Sequence, residues 1–235
     1  MFQLPNLIEW IERLEFLRGM PAAYLTLFTA FLIVIAWDWR LALAALTVQY
    51  FAAAVLFLDV LDPRLSIVKL LTGWFICIML YFTARQVNWG QLPEDVAEDE
   101  AIQWRRAQQV RFGPYLLPSN TPFRVLLALL VVLAVFTLSQ PQGLRLPAVA
   151  QPVNFAVLAL GGMGLLGLGL TTEPLKAGMG LLTFMLGFEL FYSNLDQAAS
   201  MLVFLAAANL ILTLAISYLT QMRHALPVFF EQGKG

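Results

Sequence analysis

Between Ala22 and Thr220 the chain is a succession of apolar runs, at about 22–37, 41–58, 65–84, 123–139, 155–170, 175–192 and 198–220. Several are long enough to cross a bilayer, which takes about 20 helical residues. In lipid every backbone N–H and C=O must bond within its own element, so only helices and closed barrels span. Barrel strands would read as short alternating segments, and none are present. The expected fold is all-α: a polytopic membrane protein of about seven transmembrane helices. Charged residues make up only 12% of the chain against 60% hydrophobic, about half the charge of a soluble domain. With a net charge of −1, no basic surface is available for nucleic acid.

The chain divides into six stretches. Residues 1–20 place Leu4, Leu7, Ile8, Ile11 and Leu14 between Glu9, Glu12, Arg13 and Glu15, the spacing of an amphipathic helix. It would lie on the membrane surface or pack on a partner subunit. Residues 21–85 hold the first three spans. Residues 86–122 are the only sizeable hydrophilic segment, with acids at Glu94–Glu100 followed by Arg105, Arg106 and Arg111. The order of acid before base suits a surface helix over 94–111, and Pro114, Pro118 and Pro122 mark a loop. Residues 123–152 form a linker span and its turn. Residues 153–221 hold the last three spans, and 222–235 form a tail.

The two three-span units are related in sequence. Leu56, Phe57, Leu61 and Asp62 align without a gap on Leu190, Phe191, Leu195 and Asp196, an offset of 190 − 56 = 134. The offset continues through Ser66/Ser200, Leu71/Leu205 and Leu80/Leu214. Three spans plus one linker span is an even number, so the repeats point the same way. Gly161, Gly162, Gly164, Gly167, Gly178 and Gly180 lower the bulk of the fifth and sixth spans. Small residues let membrane helices approach closely, so a further helix is expected against them.

Lys and Arg set the orientation. One side carries Arg13, Arg18, Arg64 and Arg145. The other carries Arg40, Arg85, Arg105, Arg106, Arg111, Arg124, Lys176, Arg223 and Lys234. Positive residues stay cytoplasmic. The expectation is an N-terminus outside, with the long loop and the C-terminus inside.

Two charges fall within spans, Lys69 and Glu189. Lys69 follows Asp62 by seven residues, and Glu189 precedes Asp196 by seven. At about 1.5 Å per residue both lie roughly 10 Å below the outer interface. An ion pair is possible if the repeats pack together. The pair, or each residue with a partner subunit, would serve either as glue between helices or as a proton-transfer element, since buried Lys and Glu titrate when their surroundings change. Asn209 reads as an interhelical hydrogen-bonding residue. Gln49, Tyr50 and Thr183 are candidates for a polar path.

No catalytic constellation is present. His224 is the single histidine and Cys77 the single cysteine, so neither a paired-histidine metal or haem site nor a cysteine-held cluster is expected. No P-loop or dinucleotide fingerprint occurs. No cofactor and no metal are expected.

Ser66-Ile67-Val68-Lys69-Leu70-Leu71, continuing to Tyr81-Phe82-Thr83-Ala84-Arg85, resembles the third span of hydrogenase-4 component E, intramembrane lysine included. Phe112-Gly113-Pro114 and the order of three spans, loop, one span, three spans fit the same family. The C-terminal repeat is similar to the K-type subunit of complex I and the C subunit of Mrp-type antiporters. There Gly187-Phe188-Glu189-Leu190 matches a glutamate-bearing helix, and Asn209 stands where the next helix carries a second glutamate. The resemblance implies a membrane-arm subunit without catalytic activity of its own, contributing to proton or cation translocation. Its implied partners are the bilayer, larger antiporter-like subunits and a hydrophilic redox or ion-exchange module. A pure scaffold and a stand-alone small transporter are the alternatives.

Overall fold

A computed structural model describes residues 15–87, 109–112, 115–118, 121–140, 143–144, 146 and 149–224. Among these residues there are seven α-helices: α1 (Met20–Ile35), α2 (Trp39–Phe57), α3 (Pro63–Gln86), α4 (Thr121–Leu138), α5 (Gln151–Gly169), α6 (Pro174–Leu195) and α7 (Ala199–His224). Five of them, α2, α3, α5, α6 and α7, are long and apolar enough to cross a membrane, while α1 and α4 are shorter apolar helices. The membrane-helical class expected from the apolar runs is therefore observed. Of the amphipathic stretch, only a short 3₁₀ turn at Glu15–Leu17 is described; the rest of it, the acidic cluster and the last eleven residues lie outside the described residues.

One expectation is corrected. Gln109–Phe112 and Tyr115–Pro118 form an antiparallel hairpin, so residues 109–111 are not helical and the proline-marked loop is partly strand. Phe112 and Tyr115 pair across its tip. In sequence Gly113-Pro114 separates the two strands, a pair of residue types that disfavours helix continuation.

Helix starts follow from local chemistry. Pro21, Pro63, Pro152 and Pro174 sit in the first turns of α1, α3, α5 and α6, where the missing N–H costs nothing and φ is already helical. Asp38 caps α2, its carboxylate accepting from the Arg40 N–H at 2.9 Å. Gly19 precedes α1 at φ 75°, a left-handed conformation that glycine adopts without a Cβ clash.

Helix ends gather in two layers. At the end expected outside, Arg18 pairs with Asp59 at 2.7 Å and the Gln197 amide donates to the Val60 carbonyl at 2.8 Å. Asn154 ties down the turn before α5, donating to the Leu144 carbonyl and accepting from the Leu146 N–H, both at 3.2 Å. At the opposite end, Lys176 donates to the Trp37 carbonyl at 2.8 Å, Arg124 to the Leu170 carbonyl at 2.9 Å, and Gln221 to Gln86 at 3.1 Å. Arg223 bonds the Thr172 carbonyl.

Helices at positions matched by the 134-residue offset pack on one another: α1 on α5, α2 on α6 and α3 on α7. The linker helix α4 covers α5 and α1. α2 is the central element, with 67% of its apolar window buried against 28% for α7.

The glycines serve contacts inside the chain. A Cβ on Gly164 would lie 2.5 Å from the Phe184 nitrogen, and one on Gly180 would lie 2.6 Å from the Leu168 nitrogen. The backbones of α5 and α6 therefore touch. A Cβ on Gly178 would strike Ile216 of α7 at 2.5 Å. The helix expected against Gly164, Gly178 and Gly180 is supplied by the chain itself, while a Cβ on Gly161 would meet nothing within 4 Å.

Candidate functional site

Lys69 and Glu189 meet. The lysine Nζ stands 2.9 Å from Glu189 Oε1, with side chains only 7% and 3% exposed. The pair joins α3 of the first half to α6 of the second. Its geometry is that of an ion contact rather than an aligned hydrogen bond, so the ammonium keeps donors uncommitted among the described residues. Depth counting from Asp62 and Asp196 allows this meeting without choosing it over a partner subunit, and the bond from Gln197 to Val60 holds those two turns level.

Asn209 completes a triad. Its Nδ2 donates to the same Glu189 Oε1 at 3.0 Å, so one carboxylate oxygen faces a cation and an amide donor. The backbone beneath is also fixed: Ser193 Oγ donates to the Glu189 carbonyl at 2.8 Å, and Thr213 Oγ donates to the Asn209 carbonyl at 2.7 Å. Three helices thus converge on one charge. A buried carboxylate needs such partners, because an unpaired one would be far more costly in a low-dielectric interior.

Tyr50 approaches from α2. Its ring lies on Gly73, where a Cβ would collide with it. Gly73 is one turn beyond Lys69 (73 − 69 = 4), on the same face of α3. Tyr50 is within electrostatic range of Glu189 and Cys77, and its hydroxyl has no hydrogen-bond partner among the described residues. Ser193 was not legible as a site residue; its single signal is that it stands four residues beyond Glu189.

Gln49 and Thr183 are both buried, as a polar path would need. Neither side chain makes a hydrogen bond among the described residues, so no bonded chain joins them to the triad. No group of three or more His, Cys, Asp or Glu that could hold a metal ion occurs among the described residues.

Chemically, the triad can hold one mobile proton in two ways. It is either an ammonium facing a carboxylate or a neutral amine facing a carboxylic acid. Only interactions that favour one form over the other move it, and in a dry interior a nearby charge does so strongly. Asn209 can donate to the oxygen in either form, but it cannot take the proton away.

The chain matches no protein-family model, no curated protein and no solved structure.

Proposed function

We propose that the chain is an integral membrane-arm subunit of a hydrogenase-4, complex I or Mrp-like assembly, contributing to proton or cation translocation. In this reading all seven helices cross a bacterial or archaeal cytoplasmic membrane, N-terminus outside, as two parallel three-helix repeats joined by α4. The observation that carries it is the Lys69–Glu189–Asn209 triad, a titratable pair buried between the two halves. Ionisable groups inside a membrane bundle are costly and are retained mainly where charge moves or helices must register. Large antiporter-like subunits and a hydrophilic module would supply the changing charge that biases the proton.

The test is purification of the tagged full chain from its native membrane. Co-purifying many-span subunits and loss of proton translocation in a Lys69→Met/Glu189→Leu assembly would support the reading. A chain that isolates alone and acts alone would remove it. A scaffold role is the second reading, favoured by the lack of hydrogen bonds linking Gln49 and Thr183 to the triad. It requires the double variant to translocate normally.

A further inference from the structure

At the end of the bundle expected to face the cytoplasm lies a cavity of about 640 Å³ between α2, α4 and α6. It is lined by three cations, Arg40, Arg124 and Lys176, and two carboxylates, Asp38 and Glu173. Both carboxylates lie within electrostatic range of Lys176, but neither forms an ion pair with any of the three cations among the described residues. Asp38 caps α2, and Glu173 faces Arg223 at 4.0 Å. None of the three cations forms an ion pair among the described residues. Arg124 and Lys176 are close enough to repel one another, and Arg124 Nε is buried without a partner. Lys176 sits over the Trp37 ring at 4.8 Å and Arg40 over Trp39 at 5.5 Å. Tryptophans with basic residues are the usual furniture of the headgroup level.

A second cavity, of about 860 Å³, runs between α2 and α3 and shares Trp39 and Arg40 with the first. Arg85 and Tyr81 line it near the same end, and Leu43, Ala44, Trp74 and Ile78 continue it. Thr47, also in its wall, lies seven residues from Arg40, about 10 Å deeper at the helical rise. It is therefore an apolar groove that begins at the cation cluster and enters the hydrocarbon level.

We propose that these joined cavities bind one anionic glycerophospholipid. Its phosphate sits among Arg40, Arg124 and Lys176, and one acyl chain lies in the α2–α3 groove. The walls of the two cavities carry four cations, Arg40, Arg85, Arg124 and Lys176, against two carboxylates, an excess of positive charge that suits an anionic headgroup. Glu173 Oε2, buried and unpartnered, accepts from a hydroxyl such as those of phosphatidylglycerol. The proposal needs the chain to reside in a membrane and is independent of its role in any assembly.

Native mass spectrometry of the full chain, titrated with dioleoyl phosphatidylglycerol and dioleoyl phosphatidylcholine, tests it. Each cation near the surface contributes about fivefold to the affinity for an anionic lipid, so Arg40→Gln/Arg124→Gln/Lys176→Gln lowers phosphatidylglycerol affinity about a hundredfold. Phosphatidylcholine, whose choline offsets its phosphate, binds the native chain more weakly and loses much less. Ala44→Phe, on the exposed groove wall, weakens phosphatidylglycerol binding with all cations in place, and excess inorganic phosphate displaces no lipid. If the triple variant fails to fold, Arg124→Gln alone carries the test, with about a fivefold loss. Equal affinity for both lipids, or variants that bind like the native chain, would overturn the proposal. So would phosphatidylglycerol displaced by phosphate from a chain insensitive to Ala44→Phe, which would mark a plain phosphate site.

Discussion

Gln49 and Thr183 occupy matched positions in the two halves, 183 − 49 = 134 residues apart, and both bury a polar side chain with no hydrogen-bond partner among the described residues. The offset that aligns Asp62 with Asp196 thus also aligns two polar positions inside the bundle. Lys69 and Glu189 have no such counterparts: the offset sets them against Val203 and Val55. The halves share a polar level, and the charge is an addition to it.

An unpartnered buried amide costs about 1–3 kcal/mol. Gln49→Leu should therefore raise the thermal stability of the detergent-solubilised chain by an amount of that order. A fall in melting temperature instead would mean that the amide is bonded, for instance by water within the bundle.

Breaking the triad should destabilise. Lys69→Met and Glu189→Leu each leave a buried charge alone, at about 3–5 kcal/mol, whereas replacing both by apolar residues is close to neutral. Asn209 adds a further condition, because its amide loses its acceptor whenever Glu189 is removed. The Lys69→Met/Glu189→Leu double variant should recover most of the folded yield, and adding Asn209→Leu should recover the remainder. A double variant no better than the worse single variant would show that the two charges do not stabilise each other.

The α5–α6 contact should reject any side chain. Gly164→Ala and Gly180→Ala force two touching backbones apart, and overpacking of this kind costs about 1–3 kcal/mol or more. Gly161→Ala and Gly169→Ala, with nothing within 4 Å of the new Cβ, should be harmless. Melting temperatures of the four variants check this. If all four behave alike, the close approach of these helices is wrong.

Topology is open to labelling. Gln197 and Thr172 are exposed at opposite ends of the bundle, and Cys77 is buried. Gln197→Cys should react with an impermeant maleimide added outside intact cells, and Thr172→Cys only after the membrane is opened. Labelling of both from the same side would overturn the orientation derived from Lys and Arg.

The helices were legible because apolar run length is a property of the chain alone. All seven begin and end within a few residues of the sequence reading. The equal depth of Lys69 and Glu189 was legible because it can be counted from Asp62 and Asp196, but depth alone did not choose between a pair within the chain and a partner subunit. Packing partners were not legible. A membrane helix is apolar on its lipid face and its protein face alike, so hydrophobic periodicity does not mark which side meets a neighbour. That is why the glycines of α5 and α6 pointed to a further helix when they were already spent on each other. It is also why the Arg40–Arg124–Lys176 cluster went unseen. Its members come from three helices far apart in sequence, and each alone reads as a topology signal.

The ion pair across the two halves sets a problem of timing during synthesis. Lys69 leaves the ribosome 189 − 69 = 120 residues before Glu189. At roughly 5–20 residues per second, that interval is about 6–24 s. Throughout it α3 has a cation near the hydrocarbon and no carboxylate to meet it. At roughly 10 Å of depth, the long aliphatic stem lets the ammonium reach toward the nearer headgroups. In that interval the third helix is expected to sit shallower or tilted, until α6 brings the partner of its lysine. The carboxylate that meets α3's lysine comes from the second half, so a chain truncated before Glu189 keeps the buried cation and loses its partner.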